Sequence, residues 1–425
     1  MKQYEKYKAT SIKWIGEVPS HWEETKLKYV GYLYAGLTGK GGDDFKQIEN
    51  PSNKPFIPFT NIANNIKIDP NKLEQVVMSK EDENQNQVMK GDLFFMMSSE
   101  NFDDVGKSTI LVDDLGEVYL NSFCKGFRVV DKNVNPLFLS YLLHNDAYRR
   151  RLMIEANGFT RINLKMEKVN DFFISLPPLK EQNAITNFLD EKTAQIEILI
   201  SNKQKLIELL KEERTTIINE AVSGEGKNWN RKKLKYVTEV NSDTLSEKEN
   251  EDLLIQYIDI GSVDENGKIF STTEYLYSDA PSRARRIVKD GDTILSTVRT
   301  YLKAIAFIEN AADNLICSTG FAVIRPNEKL NERFLFLVCR SQKFIEAITL
   351  LSKGVSYPSV DSEDVKNIEI SFPLLKEQTA IVQHVQTETQ RIDNTISKIE
   401  KEIELMQEYR TALISEVVTG KIKVV

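Results

Sequence analysis

The chain has 425 residues, 63 acidic against 56 basic side chains and 41% apolar content, which excludes a disordered chain and predicts two to four domains at roughly 100–200 residues each. Cys124, Cys317 and Cys339 are widely spaced with no CxxC, and His21, His144 and His384 are scattered, which excludes a disulfide framework, argues against a Cys/His zinc site and fits a reducing, cytoplasmic compartment. The opening Met1-Lys2-Gln3-Tyr4-Glu5-Lys6 lacks a signal-peptide apolar segment, no run of about 18 apolar residues offers a membrane span, and a net charge of −7 argues against a diffusely basic nucleic-acid binder while leaving room for local basic patches.

In chain order, Trp22 and the string Lys26-Leu27-Lys28-Tyr29-Val30 come first. Short strands broken by Gly, Asn, Asp and Pro follow: Phe56 to Phe59, Leu93 to Met97 after Gly91-Asp92, and Gly126 to Val130. Pro136 to Arg151 has helix-like apolar spacing, and the run Phe172 to Leu176 then stops at proline. Residues 180–222 contain no Gly or Pro, are rich in Glu, Lys, Leu, Ile and Gln, and end at Ser223-Gly224, which predicts one long helix. The same order then starts again. Trp229 precedes Lys233-Leu234-Lys235-Tyr236-Val237, then come strands at Leu253 to Ile260, Ile294 to Thr297 after Gly291-Asp292, and Phe321 to Ile324. A helix at Asn331 to Leu351, a run at Ile368 to Phe372 and a second Gly- and Pro-free stretch, 376–418, complete the copy at Thr419-Gly420.

The second half of this repeat is gapless. Leu176-Pro177-Pro178-Leu179-Lys180-Glu181-Gln182 recurs as Phe372-Pro373-Leu374-Leu375-Lys376-Glu377-Gln378, an offset of 196, and the same offset pairs Gly158 with Gly354, Val169 with Val365 and Arg214 with Arg410. At the tryptophans the offset is 207 and at the Gly-Asp pairs 200, so the first copy carries its extra residues spread over several loops. Each copy reads as an α+β domain of about 150 residues followed by a helix of about 43 residues, a rod of roughly 65 Å that one small domain cannot bury. The second rod keeps a 3/4 spacing at Val385, Ile392, Ile396, Ile399, Ile403, Met406, Leu413 and Val417, and the first keeps most of it at Ile196, Ile200, Ile207, Leu210, Ile217 and Ala221. That is a coiled-coil seam, interrupted by Lys203 and the matched Arg214 and Arg410. Antiparallel pairing of the two rods would place a domain at each end; the spacing alone also allows each rod to join a separate bundle or a partner chain.

The segment Ile12-Lys13-Trp14-Ile15-Gly16-Glu17-Val18-Pro19-Ser20-His21-Trp22, the Lys26 to Val30 string and the two Pro-x-Leu-Lys-Glu-Gln entries into long helices resemble specificity subunits of type I restriction-modification enzymes. The resemblance covers nearly the whole chain. It implies an α+β fold with an internal pseudo-two-fold repeat, in which two globular α/β target-recognition domains are separated by two long helices forming an antiparallel coiled coil. The corresponding boundaries are 1–176 and 227–372 for the domains and 177–226 and 373–425 for the helices. Each domain would read one half of a bipartite, asymmetric double-stranded DNA site, and the chain would scaffold two modification subunits and a restriction or translocase subunit. No cofactor is expected on this chain; S-adenosylmethionine, ATP and magnesium belong to those partners.

Catalytic signals are missing. Asn135-Pro136-Leu137-Phe138 lacks the second proline of an adenine-methyltransferase motif and reads as a helix start. Ala35-Gly36-Leu37-Thr38-Gly39-Lys40-Gly41-Gly42 lacks the four-residue gap and the Ser/Thr of a P-loop and reads as a flexible surface or DNA-facing loop. No nucleophile, metal cage or helicase motif stands out.

Base reading needs side chains that reach groove edges, with Arg or Lys suited to guanine and Asn or Gln to adenine, plus cations and hydroxyls on phosphates. Three places qualify. The loop Gly158-Phe159-Thr160-Arg161-Ile162-Asn163 and its mate Gly354-Val355-Ser356-Tyr357-Pro358-Ser359 share a register and differ in side chains, so Thr160, Arg161, Asn163, Ser356 and Tyr357 are candidates; the alternative is a helix-capping glycine and a turn. Arg149-Arg150-Arg151 and Arg283, Arg285 and Arg286 are basic clusters suited to phosphates, or simply solvated faces. The loops after the Gly-Asp strands supply Lys107, and Arg299 with Tyr301, a pair that a packing cap would also explain. A coiled-coil tether that binds proteins only is the competing reading, and it leaves two divergent globular repeats unexplained. The recognition half of a fused enzyme would require a catalytic half that this sequence does not carry.

Overall fold

The computed structural model describes residues 2–424 other than 12, 13, 46–48, 80, 81, 83, 247 and 355–357. These divide into two compact units, residues 1–202 with 402–425 and residues 203–401. Each unit holds one globular repeat together with one end of each long helix.

In the first unit a four-stranded antiparallel sheet runs in the order Gly31–Ala35, Cys124–Val129, Leu93–Met96, Ser108–Ile110. The second unit repeats it as Thr238–Val240, Phe321–Pro326, Thr293–Ser296, Ile305–Phe307. The apolar run after Gly91-Asp92 is continuous because its strand is covered on both faces. Leu93 and Phe95 join Phe127, Phe138 and Leu142 in one core, whereas Phe94 and Met96 join Ile57, Ile62 and Leu120 in another. A second sheet differs between the units. It has three strands in the first, with Asn53–Ile57 central, and four in the second, where Ala284–Ile287 adds an edge.

The Gly-Asp landmark is structural in both copies. Asp92 is buried and accepts from Arg128 Nε at 2.9 Å, Arg128 Nη2 at 2.7 Å and the Met89 N–H at 2.8 Å. Asp292 is buried likewise and accepts from Arg325 Nε at 2.8 Å, Arg325 Nη2 at 2.7 Å and the Lys289 N–H at 2.8 Å. A bidentate guanidinium is what a desolvated carboxylate needs, since an unpaired buried charge is strongly destabilising.

The single helix expected at Pro136 to Arg151 is two, Pro136–His144 and Asp146–Ile154, and Asn331 to Leu351 likewise splits into Glu332–Arg340 and Gln342–Leu351. The break has the same cause in both. Asn145 and Ser341 sit at extended backbone angles, and their side chains cap the next helix by accepting from Ala147 N at 2.8 Å and Phe344 N at 3.3 Å. The strand expected at Phe56 to Phe59 ends at Ile57, because Phe59 opens a short helix, Phe59–Asn64.

The long helices run Leu179–Val222 and Leu375–Val418. Their entry motif is a clamp onto the globular repeat. Glu181 accepts from the Trp22 indole at 3.1 Å, and Glu377 from the Trp229 indole at 3.2 Å. Gln182 is buried, donates to Asn133 O at 3.0 Å and Pro177 O at 2.8 Å, and accepts from Asn135 N at 2.8 Å, the cap of the domain helix. Gln378 repeats this with Lys329 O at 3.0 Å, Pro373 O at 2.9 Å and Asn331 N at 2.7 Å. At the exits Gly224 (φ 61°) and Gly420 (φ 72°) take the left-handed conformation, and a Cβ on Gly224 would lie 2.8 Å from the Trp229 ring. One tryptophan therefore meets the entry of one helix and the exit of the other, so within each unit the helices run antiparallel.

Within the first unit, Ile185 and Leu189 share a core with Leu413, Ile414, Val417 and Val418, and Ile196 and Ile200 are buried beyond them. In the second, Ile218 and Val222 share a core with Val382 and Val385, and Leu210, Ile392 and Ile399 are buried. Ile207, Ile217, Ile396, Ile403 and Met406 are half-buried. The sequence places Ile217 in the seam where the structure buries Ile218, as expected when a 3.6-residue helix drifts against a strict heptad near the rod's end. The polar interruptions pair across the rods, Arg410 with Glu197 at 3.4 Å in the first unit and Arg214 with Asp393 at 3.1 Å in the second.

Candidate nucleic-acid interface

In the first unit the strand Leu93–Met96 leads to Ser98–Ser99, which pairs antiparallel with Ile162–Asn163. The loop after the domain helices and the loop after the Gly-Asp strand, whose paired residues Ser99 and Ile162 are 63 apart in sequence, are therefore one surface. Gly158 permits the turn: at φ 150° a side chain there would run into the Arg161 carbonyl. Thr160, Arg161 and Asn163 are exposed, and Asn163 Nδ2 donates to Arg161 O at 3.1 Å. The Arg161 guanidinium stacks over the Phe123 ring at 4.7 Å, which holds its planar fork without consuming its donors. Phe159, at the loop tip, is fully exposed.

The three arginines of the first cluster diverge, as consecutive helical residues must. Arg149 turns inward and donates to Val105 O at 2.8 Å and Asp103 O at 2.5 Å, bracing the turn before Lys107. Arg150 stays exposed, 3.8 Å from Asp146. Arg151 pairs with Glu155 at 2.5 Å, a carboxylate that Lys168 shares at 2.7 Å and that these cations hold below its usual range. Lys107 pairs with Asp104 at 2.5 Å.

The second unit repeats the arrangement. Val298 bridges Ser359, the Arg299 N–H donates to Pro358 O at 2.7 Å, and the Val360 N–H donates to Thr297 O at 2.9 Å. Ser356 and Tyr357, with Val355, lie outside the described residues. Arg299 adopts a left-handed backbone (φ 51°), uncommon for a non-glycine residue, and Tyr301 is exposed. The Thr297 N–H donates to Gly320 O at 2.8 Å, and the neighbouring Thr319 N–H to Arg283 O at 2.8 Å, so the second basic cluster reaches the same surface through this turn. Arg283 is exposed, Arg285 stacks over Tyr277 at 4.7 Å, and Arg286 donates to Thr244 Oγ1 at 3.1 Å.

Sequence reasoning missed this third segment. The turn before the long central strand, Asn121 to Phe123 in one unit and Thr319-Gly320 in the other, touches one predicted loop in each, Phe123 under Arg161 and Gly320 O accepting from the Thr297 N–H. Its signal was an aromatic residue, Phe123, left exposed immediately before a buried strand. The Gly36 to Gly42 segment is fixed in place rather than free, with Lys40 on Asp82 at 2.5 Å, an ion pair that pulls the Asp82 carboxyl down to about 2. Among the described residues no group of three or more His, Cys, Asp or Glu is arranged to hold a metal, and no helix is long and apolar enough to cross a membrane.

The family described as the type I restriction modification DNA specificity domain matches the chain twice, at residues 19–209 and 226–405, once per repeat. The chain belongs to the type I restriction-modification specificity family. It is similar to the EcoKI specificity subunit of Escherichia coli K12, 23% identical over 90% of this chain and 87% of that one. The MjaVIII specificity subunit of Methanocaldococcus jannaschii is 25% identical over 69% of this chain and 72% of its own length. A chain in a solved structure on complex assembly and conformational transition of the type I R-M system shares the fold, with TM-score 0.72 and 16% identity over 95% of this chain and 99% of that one. As a specificity subunit this chain recognises DNA sequence within a restriction-modification complex, and catalysis lies in other subunits.

Proposed function

We propose that each globular repeat reads one half of a split, asymmetric double-stranded DNA site, and that the paired long helices set the distance between the halves. The chain also scaffolds two modification subunits and a restriction or translocase subunit in the cytoplasm, and those partners bring S-adenosylmethionine, ATP and magnesium. One observation carries this reading. In both units the loop after the Gly-Asp strand pairs with the loop after the domain helices and the turn before the central strand adjoins them, while matched side chains differ: Ser98 and Ser99 against Val298 and Arg299, Asn163 against Ser359, and Phe123 against Thr319-Gly320. A shared scaffold with unlike side chains is what two related readers of unlike half-sites require. The rods add the geometry, because a rigid spacer fixes half-site separation.

The test is to express the chain with its modification subunit in a host that lacks its own DNA methylation, then to map modified bases across the genome. The expected result is one split motif with unlike halves. An assembled, cofactor-binding complex that leaves no motif would support a protein-only tether instead.

A further inference from the structure

Each unit carries a basic cleft between its globular repeat and its rods, with the matched rod residues Arg410-Thr411 and Arg214-Thr215 forming one wall in each. In the first unit a cavity of about 300 Å³ is lined by Lys107, Arg149, Asp146 and, from the second rod, Arg410 and Thr411. In the second a cavity of about 170 Å³ is lined by Lys303, Arg340 and Glu265 and, from the first rod, Lys211 and Arg214. Arg214 and Arg410 are separated by the 196-residue period of the repeat, whereas Lys107 and Lys303 are one register position apart, since the Met96 N–H donates to Lys107 O where the Ser296 N–H donates to Ala304 O.

In both clefts the arginine from the domain helices bonds only backbone carbonyls among the described residues. Arg149 takes Asp103 O and Val105 O, and Arg340 takes Glu265 O at 3.1 Å and Asn266 O. Burial pulls both guanidiniums below the usual arginine range, Arg340 to about 10 with the charge of Arg214 adding to the effect. The rod arginines already hold Glu197 and Asp393, and Lys107 holds Asp104. Even so, the second cleft sets Lys211, Arg214, Lys303 and Arg340 against Glu265 in its lining, with Asp264 and Asp393 also acting on Arg340, which leaves the cations in excess. Such a desolvated, cation-rich recess favours an anion.

The location says which anion. Lys303 lies four residues after Arg299, a chain span of at most about 14 Å, comparable with a major groove about 12 Å wide whose edges are phosphates. In the first unit the turn braced by Arg149 leads directly from the Ser98–Ser99 strand to Lys107. We propose that each cleft seats a backbone phosphate of the DNA whose bases the adjoining loops read, so that the long helices belong to the DNA-binding surface through Lys211, Arg214 and Arg410. This rests on the bipartite reading above.

The test uses the assembled complex of this chain with its modification subunit. A Lys211→Gln/Lys303→Gln double variant, and separately Lys107→Gln, are compared with wild type for binding to cognate and unrelated duplexes by fluorescence anisotropy across a salt series. Neither substitution touches the buried arginines, and Lys211→Gln alone, on the exposed rod surface, serves if the double variant misfolds. About tenfold weaker binding to both duplexes at about 0.1 M salt is expected, with a log–log salt slope shallower by about one for each cleft altered. A wild-type slope overturns the proposal. So does lost discrimination with an unchanged slope, or lost assembly with the modification subunit at an unchanged slope, which would give the clefts to a partner's carboxylates. If wild type itself fails to discriminate between duplexes, the bipartite reading fails, whereas the slopes on either duplex still decide the clefts.

Discussion

Gln182 and Gln378 show how much work a single side chain does in this fold. Each is buried at the start of a rod and satisfies two carbonyls and one N–H contributed by residues up to 49 positions away. Replacing either with alanine leaves those groups buried and unpaired, at a cost of about 2–3 kcal/mol. Chemical denaturation should therefore show Gln182→Ala and Gln378→Ala each lowering the unfolding midpoint, with the exposed Lys180→Ala close to wild type; equal midpoints for all three would remove the clamp. The strings that carry these residues were legible as a repeat, yet their role was not, because their partners are remote in sequence. The arginine clusters teach the same lesson. Arg149, Arg150 and Arg151 look equivalent in the sequence, and a rotation of about 100° per residue sends the first into the domain and leaves the second in solvent.

At the scale of elements, periodicity was the most readable feature. The rods begin and end within a residue of their expected limits, because 44 residues without Gly or Pro followed by a left-handed glycine leave little alternative. The domain helices were harder, since the apolar spacing continues across Asn145 and Ser341 and only the capping side chains mark the break. The two candidate loops of each repeat were legible in the sequence, whereas their pairing and the adjoining turn were not, because these rest on contacts between segments distant in sequence. If the rods act as a spacer, inserting one heptad at matched levels of both helices keeps the seam in register and separates the domains by about 10 Å, roughly three base pairs. Methylation mapping should then return the same half-sites around a longer gap. Altered half-site bases would show that the rods shape the readers themselves.

The whole molecule is two copies of one plan, a shared antiparallel sheet and helix pair closed by rod ends, with the second sheet and the loop side chains free to diverge. Its net charge of −7 means that DNA must be met by local concentrations of cations, for which the two clefts and Arg283 are the proposed places. If each repeat reads one half-site as proposed, the units are separable in function. The most direct measurement is a domain exchange: residues 227–372 are replaced by the corresponding domain of another specificity subunit, and modified bases are mapped with the original modification subunit present. One half of the motif should change to that of the donor while the other half and the spacer stay as they were. A complex that assembles and methylates with both halves altered, or with neither altered, would contradict one reader per repeat.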